Sequence, residues 1–346
     1  MTWTSDQLDA IQIHFVLCTE RTGSSILSLM LNLNQEVISP SEEQFALYFY
    51  KKYKNKTPWN DQDLEEFVKE FYLLFDRNFD LYFEDRTAFE QLLKEHKDQL
   101  NYSRLIKLCY LSFYDSEVKD KSSIKFIIDK QIKYVYHLDQ IISIFPEAKF
   151  IILCRNIQDN IKAKQKRKLN WNQEPSYLAA IWEGAYSRAL EISESKRIII
   201  SFEELLSHPE TILKEISNFI GFTYDDKMLA TEGVFDQLIQ QRKSRLDSKY
   251  LEKLNQFHSG LKKTLDPEIN KKNSGSSKKI QLTQKQNIIM NKLGYETQGI
   301  SGLKSENIIP KFLAYCYRPL LLDLYLQLPL SIKVIIKQFK KKKQIV

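Results

Sequence analysis

The 346-residue chain is poor in the residues that punctuate or cross-link a fold, with nine glycines, nine prolines and four cysteines. So little Gly and Pro excludes collagen-like, low-complexity and linker-rich organisation. Cys18, Cys109, Cys154 and Cys316 stand far apart, with no CxxC pair and no zinc-ligand spacing, which argues against a disulfide scaffold and against a metal site. They are expected to be reduced core thiols. No basic segment followed by an apolar run lies between Met1 and Ile13, so no signal peptide or anchor is expected there and a cytoplasmic location is. The most apolar stretch, Pro310 to Ile336, is broken by Lys311, Arg318, Asp323, Lys333 and two prolines, well short of the about 20 clean residues of a membrane span.

A strong excess of charge is also missing from most of the chain. Of the formal +7, Lys337 and Lys340 to Lys343 account for five, so everything before Lys337 carries +2. The body is therefore not built to bind nucleic acid or another polyanion. What is present is 43% hydrophobic and 12% aromatic residues, enough for one large domain with insertions.

Ile11, Ile13, Phe15, Val16 and Leu17 read as a strand, Thr19 to Gly23 as a polar loop, and Ile26, Leu27, Met30 and Leu31 as the inner stripe of a helix. About Phe45 to Asp115 reads as helical, including a helix capped by Asp61 with Leu64, Phe67, Val68, Phe71 and Leu74 or Phe75 inward. Strands return at Ile124–Ile128, Phe150–Leu153 and Arg197–Ile200, separated by helical pattern at Tyr134–Phe145 and Tyr177–Ser193. A further helix runs from Pro209 to Ile220 and stops at Gly221. Short apolar strands alternating with helices predict an α/β fold, a parallel sheet flanked by helices.

The segment Cys18-Thr-Glu-Arg-Thr-Gly-Ser-Ser25 lies where a phosphate loop belongs, between a buried strand and a helix N-terminus whose free amides attract anions. A nucleotide triphosphatase loop would carry Gly at 18 and Lys at 24; here Cys18 and Ser24 stand there, which argues against a P-loop phosphoryl transferase. Arg21 supplies the fixed charge instead, and Ser24 and Ser25 supply hydroxyls. By itself the segment also reads as an Arg-Thr-Gly turn before a Ser-capped helix.

Arg21-Thr-Gly-Ser-Ser-Ile-Leu27 resembles the 5′-phosphosulfate loop of sulfotransferases, in particular bacterial carbohydrate and Golgi-type members. Asp129-Lys130, Phe145-Pro-Glu-Ala-Lys-Phe-Ile-Ile-Leu-Cys-Arg-Asn156, Ser201-Phe-Glu-Glu-Leu205, His208-Pro-Glu210 and Phe219-Ile-Gly-Phe222 follow in the order of that family's elements. The resemblance runs from about residue 11 to Tyr295. It implies a P-loop-type sheet with a helical acceptor-side insertion at 45–115, a sulfotransferase domain over 1–300, and an extension over 301–346. It also implies 3′-phosphoadenosine 5′-phosphosulfate (PAPS) as co-substrate, no metal, and a glycan, glycolipid or small molecule as acceptor.

On the same resemblance Arg21, Thr22, Gly23, Ser24 and Ser25 would hold the 5′-phosphosulfate and Arg155 the 3′-phosphate. Lys130 would meet the bridging oxygen, with Arg21 sharing that charge. Glu43, or Glu42 if the alignment carries no gap, would be the base. Ser274 and Lys278, with Ser276 and Lys279, would close a flap over the phosphates. Where relatives place a Ser eight residues after the Arg, this chain has Ala163; the basic neighbours Lys162, Lys164, Lys166, Arg167 and Lys168 are candidates to compensate. Alternatives stay open: Arg155 as an ion-pair partner of Asp159, Lys130 as one of Asp129, and a degenerate member that binds without catalysis. The extension reads either as a peripheral appendage facing anionic membrane or as a helix packed on the body before a solvated lysine tail.

Overall fold

Thr4 starts the fold: its hydroxyl accepts from Gln7 N while the Gln7 side chain accepts from Thr4 N, a reciprocal cap for α1 (Ser5–Ala10). The structure, a computed structural model, describes residues 3–40, 45–75, 86–112, 120–167, 172–231, 252, 280–297, 308–313, 316, 318–329, 331–333 and 335–336. Strand β1 (Gln12–Leu17) follows, buried from Ile13 onward. It leads through the loop at 18–23 into α2 (Ser24–Asn32) and the two-residue edge strand β2 (Val37–Ile38), too short to show in the sequence pattern.

Among the described residues the insertion is helical as expected. It comprises α3 (Phe45–Tyr48), α4 (Tyr50–Tyr53), α5 (Asp61–Phe75), α6 (Arg86–His96) and α7 (Tyr102–Leu111). The cap of α5 is one residue earlier than predicted. Asn60 Oδ1 accepts from Asp63 N and the Asp63 carboxylate accepts from Asn60 N, while Asp61 is helical and pairs with Lys97. Asn is as good a cap as Asp, and the side chain three residues on decides between them. Phe49 and Phe67 meet at 4.8 Å, Tyr53 and Trp59 at 5.3 Å, so these rings pack on one another as core.

β3 spans Phe126–Lys130, two residues beyond the expected strand. Asp120 Oδ1 accepts from Ser122 N and fixes a tight turn that uses up Ile124, whose N–H closes on Lys121 O. The shift places Asp129 and Lys130 inside the sheet. The expected helix at Tyr134–Phe145 is broken: a single 3-10 turn at Tyr134–Tyr136, then α8 (Leu138–Ile144). After β4 (Phe150–Cys154) come α9 (Ile157–Arg167) and α10 (Pro175–Ala189), with Pro at the first helical position. β5 (Arg197–Ser201), α11 (Phe202–Ser207) and α12 (Pro209–Ile220) complete the unit, and Gly221 ends α12 at φ 116°.

The five strands among the described residues are parallel in the order β2-β3-β1-β4-β5. One core lies on the face holding Phe15, Ile127 and Ile152; the other contains Val16, Ile128, Ile151 and Leu153. Since β1 pairs with β3 on one side and β4 on the other, the order reverses beside β1, where α/β sheets open a crevice at the carboxyl ends of their strands.

The chain then continues through α13 (Gln284–Lys292), α14 (Ile308–Phe312) and α15 (Arg318–Gln327). These helices are docked. Fully buried Glu183 of α10 accepts from Gln286 Nε2 at 3.0 Å and pairs with Lys285 and Lys311 at 3.6 and 3.2 Å. Tyr325 packs edge-on against Tyr48 at 5.8 Å, and Leu326 is buried. α14 and α15 are thus held to the body along one side, while Leu320, Leu321 and Leu324 stay exposed. Cys18, Cys109 and Cys154 are buried thiols outside any disulfide; Cys316 is exposed, so it is not the core thiol expected. Among the described residues no helix is long and apolar enough to cross a membrane.

Candidate active site

The loop after β1 is shaped by its own residues. Thr22 Oγ1 donates to Thr19 O at 2.9 Å, Arg21 adopts φ 67°, and Gly23 precedes α2 at φ 81°. No side chain caps α2; the amides of Ile26 and Leu27 bond back to Gly23 O. Gly23 is required twice over, for its left-handed backbone and because a Cβ would lie 2.2 Å from the Phe202 ring. Ser24 is buried and Ser25 partly exposed at the first turn. Helix dipole and first-turn donors together favour an anion there.

Two cations reach this loop from the neighbouring strands. Lys130, paired in register with Val16, is fully buried and its Nζ stands 3.5 Å from Ser25 Oγ. Arg155 follows the end of β4; its Nη1 donates to Arg21 O at 3.1 Å and its Cζ lies 4.7 Å over the Phe202 ring. Arg155 Nε is buried with no hydrogen-bond partner among the described residues, and burial pulls the guanidinium pKa down. The strand end is held from α10: Trp182 Nε1 donates to Arg155 O at 3.0 Å and Tyr186 Oη to Leu153 O at 2.9 Å. Leaving such a buried carbonyl unpaired costs about 1–3 kcal/mol.

Neither ion pair considered for these cations accounts for them. Asp159 pairs with Lys162 at 3.8 Å. Asp129 projects to the opposite face of β3 from Lys130, as alternation demands, and its Oδ2 accepts from Tyr110 and Tyr134. Burial pushes its carboxyl up to about 7, against the lowering effect of both tyrosines.

α9 faces the loop as well. Asn160 Nδ2 donates to Glu20 O at 2.9 Å, and fully buried Lys164 lies 3.4 Å from the Glu20 carboxylate. Ala163 is half-buried between Lys162 and Lys164. Thus Arg21, Thr22, Gly23, Ser24, Ser25, Lys130 and Arg155 converge on one place. Glu42, Glu43, Ser274, Ser276, Lys278, Lys279 and Lys168 lie outside the described residues. Their flanks are described: Ser39 Oγ donates to Ile128 O at 2.9 Å, and Phe45 packs on Tyr110 at 4.9 Å. Ile280 exchanges two hydrogen bonds with the Gln158 side chain of α9, at 2.6 and 2.8 Å.

Phe202, Trp182 and Asn160 were not among the expected site residues. An aromatic after β5 and a Trp in an apolar helix read as core, and only the pairing of distant strands brings them to Arg155 and the loop.

A model of the Sulfotransferase family matches residues 14–226, more than half of the chain. Protein-tyrosine sulfotransferase 2 of Gallus gallus is 28% identical over 104 residues, 26% of this chain and 26% of that protein, so the chain spans about a quarter of that curated relative's length. Among solved structures, the sulfotransferase domain from the curacin biosynthetic pathway superposes at TM-score 0.55 and 18% identity, covering 83% of this chain and 99% of that one. The sulfotransferase domain from the Synechococcus PCC 7002 olefin synthase gives TM-score 0.54 and 19% identity over 86% and 100%. At such identities the superpositions speak to the fold.

Proposed function

Because the chain belongs to the sulfotransferase family, we propose that it moves a sulfuryl group from PAPS to a hydroxyl or amino group of a glycan, glycolipid or small-molecule acceptor. The observation that carries this reading is the convergence of two cations on one uncapped helix start: Lys130 Nζ 3.5 Å from Ser25 Oγ, and Arg155 bonded to Arg21 O. A buried guanidinium with an unpaired Nε suits a second anionic group beside the first. The donor set therefore fits a nucleotide with phosphate at both ends.

The first-turn amides of α2, the Ser24 and Ser25 hydroxyls and Arg21 would hold the 5′ side. Thr22 commits its hydroxyl to Thr19 O, so it and Gly23 shape the loop and offer backbone amides. Arg155 would hold the 3′-phosphate. Ala163 offers no hydroxyl there, and Lys164 is engaged by Glu20. The co-substrate, when bound, would supply the sulfuryl group and an anionic leaving phosphate. Lys130 puts positive charge where negative charge develops, with Arg21 sharing the task. Glu43, with Glu42 as the other candidate, would take the acceptor proton, and Ser274 and Lys278 would close over the phosphates. No metal is required by this scheme.

Calorimetry with 3′-phosphoadenosine 5′-phosphate and its 3′-hydroxyl analogue tests the assignment. A charge-assisted hydrogen bond is worth about 1.5–3 kcal/mol, so Arg155→Ala should lose at least about tenfold in affinity for the 3′-phosphorylated nucleotide and much less for the analogue. Unchanged affinity and unchanged discrimination would overturn the phosphate site. Intact nucleotide binding without transfer from radiolabelled donor to mixed glycan, lipid and small-molecule acceptors would overturn the reaction.

A further inference from the structure

Ten large apolar side chains stand exposed among the described residues, and seven of them lie from Ile309 onward. Phe312 is 58% exposed, Leu320 54%, Leu324 50% and Ile335 50%. Scattered apolar residues are ordinary on any surface, but a concentration in one short segment marks something to be covered.

The segment is not waiting to fold against the body, because its inner side is already committed. Lys311 pairs with buried Glu183, Tyr325 packs on Tyr48, Leu326 is buried, and Asp323 lies 3.7 Å from His137 Nδ1. On α15 the outward positions Leu320 and Leu324 are one turn apart, with Leu321 beside them, while Tyr325 and Leu326 turn inward. The helix is thus apolar on both sides, and among the described residues only one side packs against the body.

Charge identifies the occupant. After Ile336 the sequence adds ten residues that contain five lysines and no acid, together with Phe339, Ile345 and Val346. Apolar side chains joined to a cluster of lysines match a surface that is hydrocarbon beneath and negative above. A second copy of the chain would bring its own five lysines to a shared interface, a like-charge arrangement that opposes association. We infer that the outer face of α14 and α15, with the lysine-rich segment that follows, docks this protein peripherally on an anionic lipid surface. This goes beyond the sulfuryl-transfer reading and does not depend on it.

Flotation of the full chain with vesicles of phosphatidylcholine, alone or with phosphatidylserine, tests the inference. The protein should float with the anionic vesicles and stay behind with the neutral ones. Replacing Lys337 and Lys340 to Lys343 by Gln should weaken partitioning by about fivefold for each lysine that sits near the headgroups. Leu320→Gln with Leu324→Gln should weaken it at least as much as one lysine does, with nucleotide affinity unchanged, because both positions are exposed and far from the phosphate loop in the chain. Absence of flotation, or equal flotation of all three proteins, would overturn the inference. So would loss of a dimer in sedimentation, caused by the leucine changes, in a protein that binds no vesicles; a second copy would then cover the face. Nucleotide binding is a separate readout, so failure here leaves the transferase reading intact and the reverse also holds.

Discussion

Gly23→Ala perturbs the point where the phosphate loop, α11 and Arg155 touch. Two costs are visible. Gly23 sits at φ 81°, and an L-residue in left-handed conformation costs about 1–2 kcal/mol. The added Cβ would also lie 2.2 and 2.3 Å from Cδ2 and Cε2 of Phe202, well inside contact distance. Phe202 is buried beneath the Arg155 guanidinium, so its ring cannot swing to solvent, and such overpacking costs typically about 1–3 kcal/mol. The sum, about 2–5 kcal/mol, should appear as a lower urea midpoint with an unchanged slope. Because Arg155 rests on the displaced ring, nucleotide affinity should fall in the same variant. Pairing the change with Phe202→Ala removes the clash and leaves the backbone cost, so the double-mutant cycle should show coupling within the 0.5–3 kcal/mol usual for touching residues, here about 1–3. A loss under about 1 kcal/mol for Gly23→Ala, less than either cost alone allows, or strict additivity in the cycle, refutes the reasoning.

Asp129, raised by burial to about 7 from the ordinary carboxyl value of 3.8, holds its proton more tightly folded than unfolded, so its contribution is full below about pH 4 and is lost as pH rises toward 7. At about 1.4 kcal/mol per pKa unit the loss is of order 4 kcal/mol; Asp129→Asn should flatten this part of the stability profile, and an unchanged slope in denaturation midpoints sinks the idea. Glu43→Gln should lower turnover by about 10²–10⁴-fold with nucleotide affinity nearly intact, and Glu42→Gln should do little; damage from Glu42→Gln alone would favour the ungapped alignment, and from neither would place the base elsewhere.

Much of the sheet was legible because β1, β4 and β5 are apolar runs of Ile, Leu, Val and Phe bounded by polar residues, and α12 has both Pro209 and Gly221 as markers. β3 was placed two residues early because its end is Asp129-Lys130, polar residues that look like a loop until Tyr110, Tyr134 and Ser25 provide their partners. The phosphate loop was legible because its donors are consecutive in sequence. Phe202 under Arg155, and Asn160 and Lys164 against Glu20, join segments that meet only through strand order, which local pattern does not encode. In the insertion, mutual contacts among Phe49, Phe67, Tyr53 and Trp59 place those four aromatic rings in the core.

Glu183 has a consequence for the order in which this molecule can be made. The Gln286 amide that donates to its carboxylate lies 103 residues further along the chain, beside Lys285, and Lys311 lies further still. During synthesis α10 leaves the ribosome while all three are absent, and a carboxylate cannot be sealed into a dry interior alone. The face of α10 around Glu183 must therefore stay wet until α13 and α14 arrive, so closure of this part of the core waits on their synthesis. Contacts of such long range also slow folding.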